Sequence, residues 1–328
     1  MRAPQNPSFF LRKIQKIPEF GGMVGFLCIF IIFSIVAKEF LSLGNISSVL
    51  TLAAELGIVT IGMSLLMISG EFDLSVGSMY AFSAYLVGVL CNHGVPSLYA
   101  LILTLAIGGL IGAVNGIITV KFGVPSFITT LGMMLFLRGI LYAVTGGSSV
   151  SYLGDPFIVT IFGQKFESSS ILGYFRPSHF WYFAFLVIFS ILLTRTPYGN
   201  HVFAVGGKTE AAQAMGVNIK KIKIINFMTC SILASLSGTI VLSRLLIISP
   251  VVGQGMELEA IAAAVIGGVS LRGGYGTIFG TIFGTLLISM TRNGLLLAGA
   301  PPYWYSAFVG VILLIATLIN MKVIERKV

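Results

Sequence analysis

Charge is what this chain has least of. Only 9% of its 328 residues are charged and only 11 are acidic, where a soluble domain carries about 25% charged residues. With 56% hydrophobic residues and a mean hydropathy of +0.99, that scarcity excludes a water-soluble domain and leaves a polytopic membrane protein. Cysteine is scarce too. Cys28, Cys91 and Cys230 stand alone in apolar segments with no CxxC, which excludes a disulfide framework. His93, His179 and His201 are scattered near predicted span ends, and neither HExxH nor GxSxG occurs, so no catalytic or metal constellation is expected. The N-terminus lacks a short apolar core followed by a small-residue cleavage site, and no removable signal peptide is expected. The net charge of +9 sits in short connections between apolar runs, which argues against a nucleic-acid partner.

What is abundant is apolar sequence and glycine. A helix needs about 20 residues to cross the hydrocarbon core. Ten apolar segments meet or approach that length, near 21–40, 46–69, 75–92, 97–120, 126–145, 179–194, 224–246, 257–270, 276–297 and 303–321. The expectation is an all-α fold, a polytopic membrane bundle of about ten transmembrane helices. Segment 257–270 is too short to cross unaided, and 75–92 follows directly on the break GEFDLS. Among the 39 glycines, Gly108, Gly112 and Gly116 recur every fourth residue, as do Gly276, Gly280 and Gly284. Each ladder predicts a smooth helix face for close backbone approach.

Orientation follows from lysine and arginine. Placing the N-terminus inside puts 14 basic residues in cytoplasmic connections and the tail. Only Lys38, Lys165 and Arg176 then lie outside, with Arg138, Arg244 and Arg292 within or at the ends of spans. Both termini are therefore expected in the cytoplasm. The organisation is an N-terminal segment 1–20, a bundle 21–321 and a tail 322–328. In SFFLRKIQKIPEF, residues 8–20, Phe9, Phe10, Ile14 and Ile17 oppose Arg12, Lys13 and Lys16, an amphipathic pattern suited to the inner headgroup layer.

The polar insert at 195–223 is expected on the cytoplasmic side. Its Gly207-Lys208-Thr209 looks like the end of a P-loop, but the position of that motif's first glycine holds Val202, so nucleotide binding by this chain is not expected. TEAAQAMG, from Thr209 to Gly216, reads as a short helix. Glu210 favours its N-terminal end, Gly216 stops it, and Ala211, Ala212, Ala214 and Met215 supply a small apolar surface.

YGNHVFAVGGKTEAAQAMGVNIKKIK, at 198–223, resembles the coupling-loop signature of bacterial sugar-type ABC importer permeases, the ribose/xylose/arabinose group. Further matches follow in order: SGEFDLSVGSM at 69–79, GAVNGIITVKFGVPSFITTLG at 112–132, RGI at 138–140, ELEAIAAAVIGGVSLRGGYGTIFGT at 257–281 and RNGLLL at 292–297. The resemblance covers about residues 20–321. It implies a permease of the bacterial inner membrane, paired with a second copy or a paralogue. A cytoplasmic ABC ATPase would carry ATP and Mg, and a periplasmic or lipid-anchored sugar-binding protein would deliver solute. No cofactor is expected on this chain itself. Carried over residue by residue, Glu210, Ala211, Ala212, Met215 and Gly216 would form the coupling helix; Lys208 departs from the Asn usual there.

Polar groups inside a membrane are costly and usually face the bundle interior or water. That marks Glu55 in mid-span, Glu71 and Asp73 at the helix break, and Asn115, Ser126, Thr129, Thr130 and Asn293 as pathway candidates. Each of the hydroxyl and amide groups could bond a sugar hydroxyl or, equally, a neighbouring helix. Glu257 and Glu259 suit either a binding-protein contact or a helix cap, and Arg272 lies in an inner turn. The rival reading is a secondary transporter with Glu55, or the Glu71 and Asp73 pair, as proton relay.

Overall fold

The computed structural model describes residues 19–168, 170–301 and 303–325. The amphipathic segment falls outside them apart from Glu19 and Phe20, as do the last three residues of the tail.

Each of the ten apolar segments contains a helix: α1 (Phe20–Val36), α2 (Leu43–Ile68), α3 (Val76–Asn92), α4 (Ser97–Lys121), α5 (Ser126–Thr145), α6 (Pro177–Arg195), α9 (Ile219–Leu245), α10 (Met256–Ile266), α11 (Thr281–Leu297) and α12 (Trp304–Glu325). The insert adds α7 (Pro197–Gly207) and α8 (Thr209–Ala214). Five helices, α2, α4, α5, α6 and α9, are long and apolar enough to cross a membrane by length and composition. Among the others, α10 has 11 residues, or about 16 Å, roughly half the hydrocarbon thickness.

Local signals set the ends. Ser42 caps α2 by accepting the Asn45 N–H at 3.2 Å, and Asn218 caps α9 by accepting from the Lys221 N–H at 3.0 Å. Proline begins α6 and α7, where its missing N–H is no loss. α2 ends before Gly70, whose φ of +87° suits a residue without Cβ.

The core is built on α2 and α9. In α2, 89% of the apolar window is buried, and in α9 72%, against 22% in α5, so α5 presents most of its surface to its surroundings. α9 packs most extensively along α4, then α3 and α2. The first glycine ladder is the reason it can: a methyl at Gly112 would sit 2.5 Å from the Phe227 carbonyl oxygen, and one at Gly116 2.9 Å from the Ile224 Cα.

The second ladder is different from its prediction. α11 starts only at Thr281, Gly280 is its cap, and Gly276 lies in the preceding loop with φ +154°. These three glycines therefore do not share a helix face. The chain makes separate close approaches instead, Gly276 against Val269, Gly280 against Gly267 and Gly284 against Ala263. A turn of the chain here, rather than a longer helix, answers the shortness of α10. The insert also holds more structure than a single short helix. Thr196 caps α7 by accepting from the Gly199 N–H at 3.3 Å, and Gly199 packs against the Leu193 carbonyl, reversing the chain.

The 146–176 connection contains a two-residue strand β1 (Val150–Ser151) paired antiparallel with β2 (Ile247–Ile248). Asp155 ties it to α4, accepting from the Ser97 N–H at 2.7 Å and the Ser97 hydroxyl at 2.6 Å. The Ser97 hydroxyl first, and then the Ser97 N–H, hold the Asp155 carboxyl below its ordinary range. A depressed carboxylate stabilises above the ordinary carboxylate pKa, and that contribution fades as pH falls through the lowered value. Asp155 is exposed, so Asp155→Ala should cost at most about 1 kcal/mol. Loss of exchange protection at the Ser97 amide, taken against the intrinsic rate at each pH, in the variant and in the wild type at acid pH, is the check.

Candidate functional site

A cavity of about 550 Å³ opens between α2, α3, α9, α10, α11 and α12. Its polar wall is formed by Glu55, Tyr80, Arg244, Gln254, Glu259, Ser289, Arg292 and Tyr305. Helix α2 brings Glu55 inward because nearly the whole helix is enclosed, and α9 delivers Arg244 on its last turn. Their side chains form a fork: Arg244 Nε donates to Glu55 Oε1 at 2.6 Å and an Nη to Oε2 at 3.1 Å. The Tyr80 hydroxyl donates to the same carboxylate at 3.4 Å. Glu55 is 4% exposed and Arg244 21%, so the pair is enclosed on one side and open to the cavity on the other. Across it, the Arg292 guanidinium lies over the Tyr305 ring at 5.3 Å.

The residues nominated from the sequence part company here. Of the pathway candidates, Glu55 alone lines this cavity. Asp73, Asn115, Ser126 and Thr130 come together elsewhere, holding the break between α2 and α3. Asp73 Oδ1 accepts from the Ser75 N–H at 2.8 Å and its hydroxyl at 2.5 Å, and Asn115 donates to that hydroxyl at 3.1 Å. Ser126 and Thr130, on α5, accept from the Phe72 and Leu74 N–H groups at 3.4 and 3.0 Å. A break in a buried segment leaves backbone donors without helical partners, and these hydroxyls satisfy them. Thr129 is 9% exposed, and its hydroxyl has no hydrogen-bond partner among the described residues. Asn293 donates to Asn45 at 3.2 Å, pinning α11 to the start of α2.

Glu259 is a cavity residue, while Glu257 lies against Gly77 of α3. Neither caps α10, since Gly255 occupies that position. Arg138 donates to the Pro250 and Val252 carbonyls at 2.6 and 3.0 Å, shaping the loop that forms one wall. Arg138, Arg244, Arg292 and the two tyrosines are site residues that a search for membrane carboxylates passes over. The usable signal was arginine at a span end, which costs as much to bury as glutamate.

At the insert end of the bundle, Lys223 pairs with Glu71 at 2.5 Å, both about 15% exposed or less. The Tyr198 hydroxyl donates to Asn226, whose amide donates to the Leu65 carbonyl at 3.3 Å. Burial pushes the Tyr198 hydroxyl up to about 12, so it stays a donor. Gly206 packs on the Ile68 carbonyl, Gly273 on Gly206 and Gly70, and the Gly274 N–H donates to Ile68 at 2.8 Å. The end of α2, the end of α7 and the loop after α10 thus meet backbone to backbone, a contact that side chains would prevent. Beyond this junction α8 projects. Glu210, Ala211, Met215 and Gly216 are exposed, Met215 by 73%, whereas Ala212 is buried against the chain's own core. The outward apolar surface is therefore Ala211, Ala214 and Met215. Gly216 ends the turn with φ +80°. Arg272 is exposed in the loop between α10 and α11.

Known proteins resemble the chain along most of its length. Residues 45–317 match the family described as branched-chain amino acid transport system / permease component. The chain is 37% identical to the ribose import permease protein RbsC of Escherichia coli (strain K12) over 93% of its own length and 94% of the relative's. It is 35% identical to RbsC of Bacillus subtilis (strain 168), covering 98% of each. It is 30% identical to the autoinducer 2 import system permease protein LsrC of Photorhabdus luminescens, covering 93% and 90%. No solved structure matches. The chain belongs to this family of ABC importer permeases, multi-pass membrane subunits whose ATPase is a separate protein.

Proposed function

We propose that the chain imports a sugar or sugar-like solute, received from an extracytoplasmic binding protein and driven by a cytoplasmic ATPase. The observation that carries this is full-length similarity to ribose and autoinducer 2 import permeases. It favours a sugar over the amino acids named in the family's description. The ten helices are read as ten membrane segments with both termini in the cytoplasm, in a bacterial inner membrane, working beside a second permease chain. The basic-residue asymmetry supports that orientation. It puts α8 on the ATPase side and the cavity toward the outside.

In this reading Ala211, Ala214 and Met215 dock into the ATPase, with Glu210 at the positive end of α8. Ala212 anchors α8 to the bundle. Closure of the ATPase then pushes on α8 and α7, and the glycine junction passes the displacement to Gly70 and the end of α2. Lys223 and Glu71 clamp the same corner. The rival proton relay has less support, since Glu55 and Glu71 are each held by a cation.

Reconstitution tests the reading: uptake should require the ATPase, ATP and the binding protein, and uptake driven by a proton gradient alone would overturn it. Met215→Asp should weaken ATPase association by about 30-fold, the effect of losing an apolar hot spot, with membrane insertion intact. ATP-driven uptake by that variant at the wild-type rate would remove α8 from the interface.

A further inference from the structure

The cavity volume of 550 Å³ lies within the roughly 300–1,000 Å³ range of small-molecule sites. Its ionisable wall is balanced, with Glu55 and Glu259 against Arg244 and Arg292. An anion or a cation would meet as much repulsion as attraction there, and an apolar solute would strip water from four charges without replacing it. A neutral molecule bearing several hydroxyls avoids both costs, because each hydroxyl donates and accepts.

The four charges are not equally engaged. Glu55 and Arg244 are joined by two hydrogen bonds. Glu259 and Arg292 share the cavity and feel one another's charge, but among the described residues they form no direct ion pair. The buried Tyr305 hydroxyl sits beside Glu259 outside full hydrogen-bond geometry. An acceptor, a cation with several donors and a hydroxyl thus face one space with bonding capacity left over. The Tyr80 and Tyr305 rings add flat apolar surface beside them.

We propose that this cavity, inside a single permease chain, is a binding station for a neutral polyhydroxylated solute, whose hydroxyls bridge Glu259 and Arg292 next to the closed Glu55–Arg244 pair. The proposal rests on the sugar-import reading and adds the place and the residues. It makes Glu259 and Arg292 specificity-determining residues.

The test uses the permease with its ATPase and binding protein in proteoliposomes. The probe is whichever of D-ribose, D-xylose, L-arabinose and D-galactose the wild type imports fastest, together with the deoxy analogues of that sugar. Glu259→Gln and Arg292→Gln should each raise the KM for uptake by about ten-fold or more, the worth of a hydrogen bond to a charged group. ATPase stimulation by the binding protein reports that each variant is inserted and assembled. The wild type's preference for the parent sugar over one deoxy analogue should shrink by a similar factor, a change that a merely structural role would not produce. Glu259→Asp and Arg292→Lys are read the same way if a glutamine variant does not insert. Unchanged KM and unchanged analogue preference in an inserted, ATPase-stimulated variant would overturn the cavity assignment. It would leave sugar import standing. A wild type that imports none of the four sugars, with ATPase stimulation intact, would overturn the sugar reading and the cavity assignment with it.

Discussion

Glu55→Ala should destabilise the fold by about 3–5 kcal/mol, the cost of stranding one charge of a buried pair. The charge left behind is Arg244, 21% exposed and held at 2.6 Å by the carboxylate that the substitution removes. Arg244→Ala should cost a similar amount or more, since Glu55 is only 4% exposed and would keep a single neutral donor, Tyr80. The double variant Glu55→Leu/Arg244→Met behaves differently. It removes both desolvation costs together, and apolar replacements of similar volume are often neutral or stabilising. Denaturation of the detergent-solubilised protein should therefore rank wild type and double variant together, well above either single variant. A double variant as unstable as the sum of the singles would show that the two charges act independently. The pair also fixes where α2 meets the last turn of α9, and the Ser237 hydroxyl reinforces that register by donating to the Glu55 carbonyl at 2.6 Å. The double variant should thus fold while losing the cavity wall. Uptake should fall even where stability does not.

How far the sequence could be read differs between these features. Long apolar runs place helices reliably because lipid leaves the backbone no alternative to internal hydrogen bonding, and every apolar segment did contain a helix. The shortness of α10 was equally legible, from the length of the apolar run at 257–270. Glu55 stood out because a carboxylate in an apolar run needs a reason to be there. Its partner lies 189 residues away, and no local pattern announces such a pairing. Asp73, Asn115, Ser126 and Thr130 show the converse. Their polarity was visible, but polarity alone does not separate a solute contact from repair of a broken backbone; the hydrogen bonds that hold the break show only in the fold. The two glycine ladders had identical spacing and different outcomes. Spacing of four describes a face only if the helix runs through all three residues, and the chain turns at Gly276, where φ is +154°.

The first ladder makes the sharper prediction. Gly112→Leu should cost about 3 kcal/mol or more, at or beyond the upper end of usual overpacking penalties. The atoms that a new Cβ would meet are all backbone: the Phe227 carbonyl oxygen at 2.5 Å, the Met228 Cα at 2.8 Å and the Phe227 carbonyl carbon at 2.9 Å. A side chain could swing away from a clash, but α9 cannot, because it is simultaneously packed on α2 and α3. Either α4 moves out as a whole or α9 bends, and both loosen the most extensive helix contact in the molecule. Gly112→Ala should already be measurably destabilising, with Leu worse. Gly132→Ala is the control, since a methyl at Gly132 would meet nothing within 4 Å. In a helix that change should be neutral or stabilising by up to about 1 kcal/mol. Thermal unfolding of the three purified variants reads the difference directly. Equal midpoints for Gly112→Leu and Gly132→Ala would mean that α4 and α9 are not packed backbone to backbone. The reverse outcome would show that this bundle rests on an interface where the absence of a side chain is the contact.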